Sequence, residues 1–90
     1  MKFEWDSDKN LFNMLKHKIS FKEAALVFLD VDRMEFYDEE HSIFEDRYVT
    51  IGRVEEVIVV VYTERKNVTR IISARKASRE EEEAYYDGKL

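Results

Sequence analysis

The sequence predicts a small α+β domain with the element order β-α-α-β-β-β-β-α. Three observations support this fold class. Apolar residues in the first third of the chain recur at helical spacing behind capping residues. From residue 34 onward, apolar residues alternate with polar ones or form short apolar runs, as in strands. The links between the last four predicted strands are short, which favours an antiparallel β-meander.

The N-terminal part is predicted to form one short strand and two helices. Phe3–Trp5 alternates apolar and polar residues, and Asp6 or Ser7 can cap a helix that runs to about His17. The buried stripe of this helix is predicted to consist of Leu11, Met14 and Leu15. A capping box of Ser20 and Glu23 opens a second helix that runs through Leu29 and ends at Asp30–Asp32.

The remainder of the chain is predicted to be four strands and a final helix. A polar loop separates the first two of these strands, a turn at Gly52–Glu55 follows the second, and a turn at Glu64–Asn67 follows the third. A capping box of Ser78 and Glu81 opens the last helix, toward Tyr85. The four strands are predicted at Met34–Asp38, Glu45–Ile51, Val57–Thr63 and Val68–Arg75.

Length and composition favour one cytosolic domain over residues 1–90, because a chain this short has room for a single hydrophobic core. The chain has no cysteine, which excludes disulfides and thiolate metal sites. Its first residues lack the apolar stretch of a signal peptide. The longest apolar run, Val57–Tyr62, is too short to cross a bilayer, so no membrane association is expected.

Charge is distributed unevenly along the chain. The formal net charge is −5, yet Thr63–Arg79 carries six Lys or Arg residues and one Glu, a local balance of +5 that leaves −10 elsewhere. A basic stretch on an acidic body is typical of a polyanion-binding surface, because phosphate contacts depend on the local potential.

Short segments distributed over residues 3 to 79 carry a recognisable pattern. They are Phe3-Glu-Trp-Asp6 with Lys9, Lys16-His17, Ser20-Phe21 with Glu23-Ala-Ala25, His41-Ser42, Glu45-Asp-Arg47, Thr50-Ile-Gly52, Tyr62-Thr-Glu-Arg65, Arg70-Ile-Ile-Ser-Ala-Arg75 and Arg79. Together, in this order and at this spacing, they resemble the BrnT family of ribonuclease toxins from type II toxin–antitoxin systems. One departure is Lys18, where the family commonly has glycine.

The resemblance implies a RelE-like fold and an endoribonuclease that blocks translation. It also implies neutralisation by a BrnA-type antitoxin in a heterotetramer of two toxins and two antitoxins. The antitoxin would supply DNA binding, so contact with DNA is expected only through it.

RNA cleavage of this type needs no metal, because the 2′-hydroxyl of the substrate attacks the adjacent phosphorus. The enzyme must transfer protons and stabilise charge on the phosphoryl oxygens, which Arg does with planar two-pronged hydrogen bonds. The predicted catalytic residues are Arg47, Arg75, Glu45 and His17. The predicted RNA-binding residues are Lys16, Arg65, Arg70, Arg79, Thr63 and Ser73.

The arginines present a problem of geometry. Arg70 and Arg75 are five positions apart and face opposite sides of a regular strand. Either a bulge intervenes or only one of them reaches the site; Arg75 is preferred because Ser73 shares its face. Arg47, Arg70 and Arg75 are predicted on strands, Arg65 in a turn and Arg79 at a helix start.

Each candidate also has a purely structural interpretation. Arg47 and Glu45 can simply pair on one face of a strand. His17 lies in a last helical turn, where a cation favours the helix dipole, and His41 lies in an acidic loop and is interpreted as solvated. The two strand hydroxyls, Thr63 and Ser73, are common without any role.

No metal site or cofactor is predicted, because ligand spacing is absent and the chain has only two glycines. Two other functions remain open on sequence alone. The chain can be a module that binds nucleic acid without cutting it, or a partner that docks an antitoxin after catalysis has been lost.

Overall fold

The computed structural model describes residues 1–88, which form one five-stranded sheet flanked by helices. In chain order the elements are β1 (Lys2–Glu4), α1 (Ser7–His17), α2 (Phe21–Ala25), a 3₁₀ helix (Leu26–Leu29), β2 (Met34–Tyr37), β3 (Tyr48–Val54), β4 (Glu56–Arg65), β5 (Val68–Lys76) and α3 (Arg79–Asp87). The predicted α+β class is confirmed.

The sheet is mixed, with strand order β1-β5-β4-β3-β2. Strands β2 to β5 pair antiparallel with their neighbours in the chain, whereas β1 pairs parallel with β5. The expectation of a purely antiparallel meander is therefore wrong for the whole sheet. The chain crosses from β1 through α1 and α2 to the far edge, because β1 and β2 lie at opposite ends of the strand order.

The end of the second helix and the start of β3 differ from the predicted boundaries. The second helix stays α-helical only to Ala25 and then tightens into the 3₁₀ helix, which turns Val27 into the core. Strand β3 begins at Tyr48, so Arg47 and Glu45 precede it. The Ser42 hydroxyl accepts the Arg47 N–H at 2.9 Å and ties the preceding segment into the loop.

Strand β3 also runs straight through Gly52, where a turn was predicted. The glycine is explained instead by the close approach of the 3₁₀ helix to the strand at this point. A Cβ atom at Gly52 would lie 2.5 Å from Val27 Cγ2, closer than atoms can pack, and 3.0 Å from the Arg33 Cβ, which is a tight contact. Glycine is required here for space rather than for a turn.

The two faces of the sheet are covered differently. On one face, Ile58, Val60, Ile71 and Ala74 pack against α2 and the 3₁₀ helix. On the other, which we call the α3 face, Ile51, Val57 and Val59 form a smaller cluster with partly buried side chains around them. Those surrounding side chains are Phe36, Val49, Ala77 and Tyr85.

The prediction of a buried apolar stripe on α1 is wrong, because the helix faces the protein with its polar side and solvent with its apolar side. Leu11, Met14 and Leu15 are exposed, whereas Asn13 is buried at 5% exposure. The Asn13 amide donates to the Ile19 carbonyl at 2.9 Å, and its carbonyl oxygen accepts the Ala74 N–H at 3.1 Å. Since β1 pairs only with residues 68–70 of β5, Asn13 serves the strand edge that β1 leaves open.

Helix α1 ends at Lys18, whose backbone is left-handed with φ 62° and ψ 26°. Its N–H donates to the Met14 carbonyl at 3.0 Å, which closes the helix. This position favours glycine, because a Cβ crowds the backbone in the left-handed region. At the other end, Asp6 caps the helix as predicted, accepting from the amides of Asp8 and Lys9.

Candidate active site

A β-bulge in β5 shapes the candidate site. Ser73 lies opposite Val61, and Ile71 lies opposite the next residue of β4, Tyr62. Ile72 is therefore an extra residue without a partner on β4. A bulge of this kind resets the alternation of side chains along the strand that carries it.

The bulge brings Arg70, Ser73 and Arg75 to the same face of the sheet. Arg70 lies opposite Thr63 and Arg75 opposite Val59, both on the α3 face. The sequence left open whether a bulge intervenes between the two arginines or only one reaches the site. The bulge does intervene, and it places both guanidinium groups on the same side of β5.

Arg75 is held by Glu81 in the first turn of α3. Nη1 and Nη2 donate to the two carboxylate oxygens of Glu81 at 2.8 and 2.9 Å. The hydrogen bonds from Arg75 lower the pKa of Glu81 to about 2, helped by the Ser78 backbone, and Glu81 in turn raises the pKa of Arg75. The pair fixes the guanidinium while leaving the Arg75 side chain about half exposed.

A groove of about 370 Å³ beside Arg75 is lined in part by His41, which was interpreted from the sequence as solvated. His41 Nδ1 lies 2.9 Å from Asp38 Oδ2, a contact typical of an imidazole oriented by a carboxylate. We call this the Arg75 groove; its lining is Phe36, Tyr37, Asp38, His41, Val49, Ile51, Arg75 and Glu81.

A second groove, of about 420 Å³, lies between α1 and β5. It brings together three of the predicted residues, Lys16, His17 and Ser73. The half-buried bulge residue Ile72 forms part of its wall. We call this the α1 groove; its lining is Asp8, Lys9, Phe12, Asn13, Lys16, His17, Ile72 and Ser73.

The other predicted arginines of the basic stretch also pair with carboxylates. Arg65, which was predicted in a turn, is the last residue of β4, and Arg79 opens α3 as predicted. Because these arginines are paired with carboxylates, the positive electrostatic potential around them is lower than the number of Lys and Arg residues alone suggests. The ion pairs are Arg65 with Glu45 at 2.8 Å, Arg70 with Glu4 at 2.5 Å and Arg79 with Glu83 at 3.1 Å.

Arg47 and Glu45 do not pair with each other, contrary to the structural interpretation of the sequence. Glu45 accepts two-pronged hydrogen bonds from Arg65 instead. Arg47 lies one residue before β3, where its carbonyl accepts the Asp38 N–H at 2.8 Å. Within residues 1–88 the half-buried Arg47 side chain forms no ion pair.

Thr63 is tied into the protein, although it was predicted to contact RNA. Its hydroxyl donates to the Asp46 carbonyl at 2.6 Å, and the residue is only 1% exposed. This bond pins the segment before β3 against β4. We therefore assign Thr63 a positioning role for the Glu45–Arg47 segment.

A polar network that was not predicted from the sequence lies on the face opposite α3. The Tyr62 hydroxyl donates to the Glu35 carboxylate, and Arg33 donates to Glu35 at 3.1 Å and to the Thr50 hydroxyl at 3.0 Å. The Arg33 guanidinium also lies 4.8 Å from the ring centre of Phe28. The Tyr62 hydrogen bond lowers the pKa of Glu35, and burial raises that of Tyr62. Only the alternation around residue 35 hinted at this network.

Neither metal ligands nor a membrane span can be assigned in the part of the chain that is described. No three His, Asp or Glu side chains among residues 1–88 converge as a ligand group. No helix in the same range is long and apolar enough to cross a membrane.

Comparison with known proteins identifies the family. A search of curated proteins finds no match to this chain. The family model described as "Ribonuclease toxin, BrnT, of type II toxin-antitoxin system" matches residues 5–81, which is most of the 90 residues and includes both grooves. The chain therefore belongs to the BrnT family of ribonuclease toxins of type II toxin–antitoxin systems.

Proposed function

We propose that this protein is an endoribonuclease that cuts RNA without a metal, by attack of the substrate's own 2′-hydroxyl. The observation that carries the proposal is the Arg75 groove, in which a fixed guanidinium and a carboxylate-oriented imidazole line one depression. Family membership supports the ribonuclease class. These are the two kinds of group that the reaction requires.

In this proposal His41 moves the proton. With Nδ1–H donating to Asp38, the Nε2 lone pair lies on the far side of the ring and can take the proton from the 2′-hydroxyl. The new bond joins the 2′-oxygen to phosphorus, and the bond from phosphorus to the 5′-oxygen breaks. The 5′-oxygen takes a proton from a solvent water as it leaves, and the protonated His41 returns its proton to the resulting hydroxide. The other fragment ends in a 2′,3′-cyclic phosphate.

Arg75 stabilises the charge that grows on the phosphoryl oxygens. Glu81 holds its two Nη atoms, so the guanidinium needs no reordering when the phosphate arrives. Arg47 and Arg70 are proposed as further phosphate contacts, since Arg70 shares the face of Arg75 and Arg47 forms no ion pair within residues 1–88.

The remaining predicted residues take supporting roles. Glu45 is held by Arg65, so we assign it to positioning Arg65 rather than to removing a proton. His17, Lys16 and Ser73 share the α1 groove and are proposed to hold a neighbouring nucleotide. Arg65 and Arg79, both exposed at the surface, are proposed to guide the RNA backbone.

The resemblance set out above supports the cellular part of the proposal. Cleavage blocks translation in the cytoplasm, and a BrnA-type antitoxin neutralises the toxin in an assembly of two copies of each. The antitoxin provides any contact with DNA, and the toxin domain has a RelE-like fold.

The test is cleavage of a defined RNA by the purified protein in EDTA, with the ends of the products analysed by mass spectrometry. We expect 2′,3′-cyclic phosphate ends and a loss of rate of about 10²–10³-fold in Arg75→Ala and in His41→Gln. Arg53→Ala is the matched control, because Arg53 is an exposed arginine that lines neither the Arg75 groove nor the α1 groove. Its rate is expected to fall less than threefold.

Two results would contradict the proposal as a whole, and a third would contradict the role of His41. Cleavage that occurs only with magnesium and stops in EDTA would rule out the metal-independent mechanism. RNA that binds to the folded protein and stays intact, both free and on ribosomes, would favour the non-catalytic binding module instead. Full activity in His41→Gln together with loss in His17→Gln would move the proton transfer to the α1 groove.

A further inference from the structure

Helix α1 exposes an apolar surface to solvent. Leu11, Phe12 and Leu15 are 57%, 65% and 69% exposed, and Met14 is 42% exposed. These side chains lie at helical spacing, so they form one continuous stripe along the outer side of the helix. Four adjacent exposed apolar side chains on one short helix differ from the single scattered apolar residues that a protein surface normally carries.

The stripe is maintained by polar contacts on the inner side of the helix. The Asn10 carbonyl oxygen accepts the Phe21 N–H at 2.8 Å, and Asn13 bonds both Ile19 and Ala74. Turning the leucines inward would break these bonds and leave buried backbone groups unpaired. The outward orientation is therefore a stable feature of the fold.

Lysines border this stripe. Lys9, Lys16 and Lys18 lie along and at the end of α1 and are exposed, with Asp8 as the one carboxylate within the helix. Lys9, Lys16 and Phe12 also line the α1 groove, so the stripe and the groove form one surface. This positive border contrasts with the net charge of −5 of the whole chain.

The size and charge of the stripe argue against a second copy as its occupant. An eleven-residue helix is about 16 Å long, and a strip about 10 Å wide covers roughly a fifth of the ~800 Å² that each partner buries in a stable complex. Two copies meeting through the same helix would also bring lysine against lysine. A partner with acidic residues beside its apolar stripe avoids both obstacles. Its carboxylates attract the lysines, and it can extend beyond the stripe into the α1 groove, which enlarges the buried area.

We propose that α1 docks an amphipathic helix of the partner protein, with an apolar stripe bordered by Asp and Glu. In a type II system this partner is the antitoxin. Its apolar residues cover Leu11 and Leu15, and its carboxylates reach Lys9 and Lys16 at the α1 groove. Docking then excludes RNA from that groove, and this last point alone rests on the proposed function.

The test measures binding of the cognate antitoxin to the full chain by calorimetry, without RNA. We expect Leu11→Ser/Leu15→Ser to weaken the Kd at least 30-fold. The matched control is Leu26→Ser/Leu29→Ser, a pair of leucines that are 50% and 77% exposed outside α1, for which a change below threefold is expected. Circular dichroism checks that both variants are folded.

Charge variants test the lysine border separately. We expect Lys9→Glu to weaken the Kd at least fivefold, whereas Lys2→Glu, an exposed lysine of β1, leaves it within twofold. If both α1 variants bind the antitoxin within twofold of the wild type, the proposal is wrong. It is equally overturned if the free toxin forms dimers that Leu11→Ser/Leu15→Ser abolishes, because the occupant is then a second copy.

The binding readout separates this proposal from the ribonuclease proposal. Antitoxin binding that depends on Leu11 and Leu15 supports docking at α1 even if the protein cuts no RNA. Conversely, cleavage that requires Arg75 supports the ribonuclease even if the α1 variants bind the antitoxin normally.

Discussion

Arg75 and Glu81 form a two-pronged ion pair that joins the last strand to the last helix, with both Nη atoms within 2.9 Å of a carboxylate oxygen. Glu81 also accepts the Ser78 N–H at 2.8 Å and so completes the capping box of α3. One carboxylate therefore orients a candidate catalytic residue and begins the helix that covers part of the sheet.

This pair makes stability depend on acid pH. The pKa of Glu81 lies near 2 in the folded protein, below its ordinary value of 4.5, so its contribution is present above about 4.5 and disappears as the pH falls toward 2. We expect Glu81→Gln to lower the free energy of unfolding at pH 7 by about 2 kcal/mol, allowing for the exposure of Arg75. Urea unfolding from pH 7 to pH 2 measures the difference, which should shrink toward the acid end.

Glu82→Gln is the control for that series, because Glu82 lies in the same first turn and is exposed. Like Glu81→Gln, this substitution removes a negative charge that interacts with the helix dipole, but it breaks no bond to Arg75. Equal losses of stability in Glu81→Gln and Glu82→Gln would mean that the ion pair adds nothing.

Because α1 buries its polar side, an alanine substitution at a polar residue of this helix is predicted to cost more stability than one at an apolar residue. Asn13→Ala removes the acceptor of the Ala74 N–H and the donor to the Ile19 carbonyl, so we expect a loss of about 2–4 kcal/mol. Leu15→Ala removes a larger apolar side chain that is 69% exposed and should cost less than about 0.5 kcal/mol. Chemical denaturation of both variants checks the order, and a reversed order would show that the leucine stripe is buried.

The two glycines are predicted to respond to alanine for different reasons. At Gly52 the new methyl group would meet Val27 Cγ2 at 2.5 Å, so the 3₁₀ helix must shift and we expect a loss of about 2–3 kcal/mol. At Gly88 nothing lies within 4 Å, and only the left-handed backbone opposes alanine, which costs about 1 kcal/mol. Thermal unfolding of the two variants tests this ranking. A Gly52→Ala protein as stable as Gly88→Ala would contradict the close approach.

Lys18 is a site where glycine should stabilise the protein. Its backbone is left-handed at φ 62°, so Lys18→Gly relieves steric crowding and is expected to add about 0.5–1 kcal/mol. Lys22→Gly is the matched control, because Lys22 lies within α2, where glycine costs about as much as it gains at position 18. Guanidinium unfolding midpoints should move in opposite directions, and a shift of the same sign in both variants would contradict the assignment.

Local chemistry predicted much of the fold. Asp6, Ser20 and Ser78 cap helices where the sequence placed them, since a cap depends on residues within one turn. The strands from residue 34 onward also follow the predicted order, although β3 is shifted by three residues at its start. These features need no information from distant parts of the chain.

The errors arose where contacts between residues far apart in the sequence determine the structure. Periodicity located the apolar stripe of α1 but cannot tell whether it faces the core, and the bonds of Asn13 to Ile19 and Ala74 settled its orientation. Likewise, the sequence shows where the arginines lie along the chain but not which carboxylate each of them contacts. Glu4, Glu45 and Glu81 come from three different segments, and only the fold brings them to Arg70, Arg65 and Arg75.

The bulge at Ile72 constrains how this strand can evolve. If the strand kept its length but lost the bulge, side-chain alternation would become regular and Arg75 would face the side opposite Arg70. If it lost Ile72 together with the bulge, the two arginines would be four positions apart, and a regular strand would keep both on the α3 face, with Arg75 still opposite Val59. Relatives are therefore expected to keep either the bulge with five positions between the two arginines or a regular strand with four, whereas the Lys66–Asn67 turn can vary in length more freely.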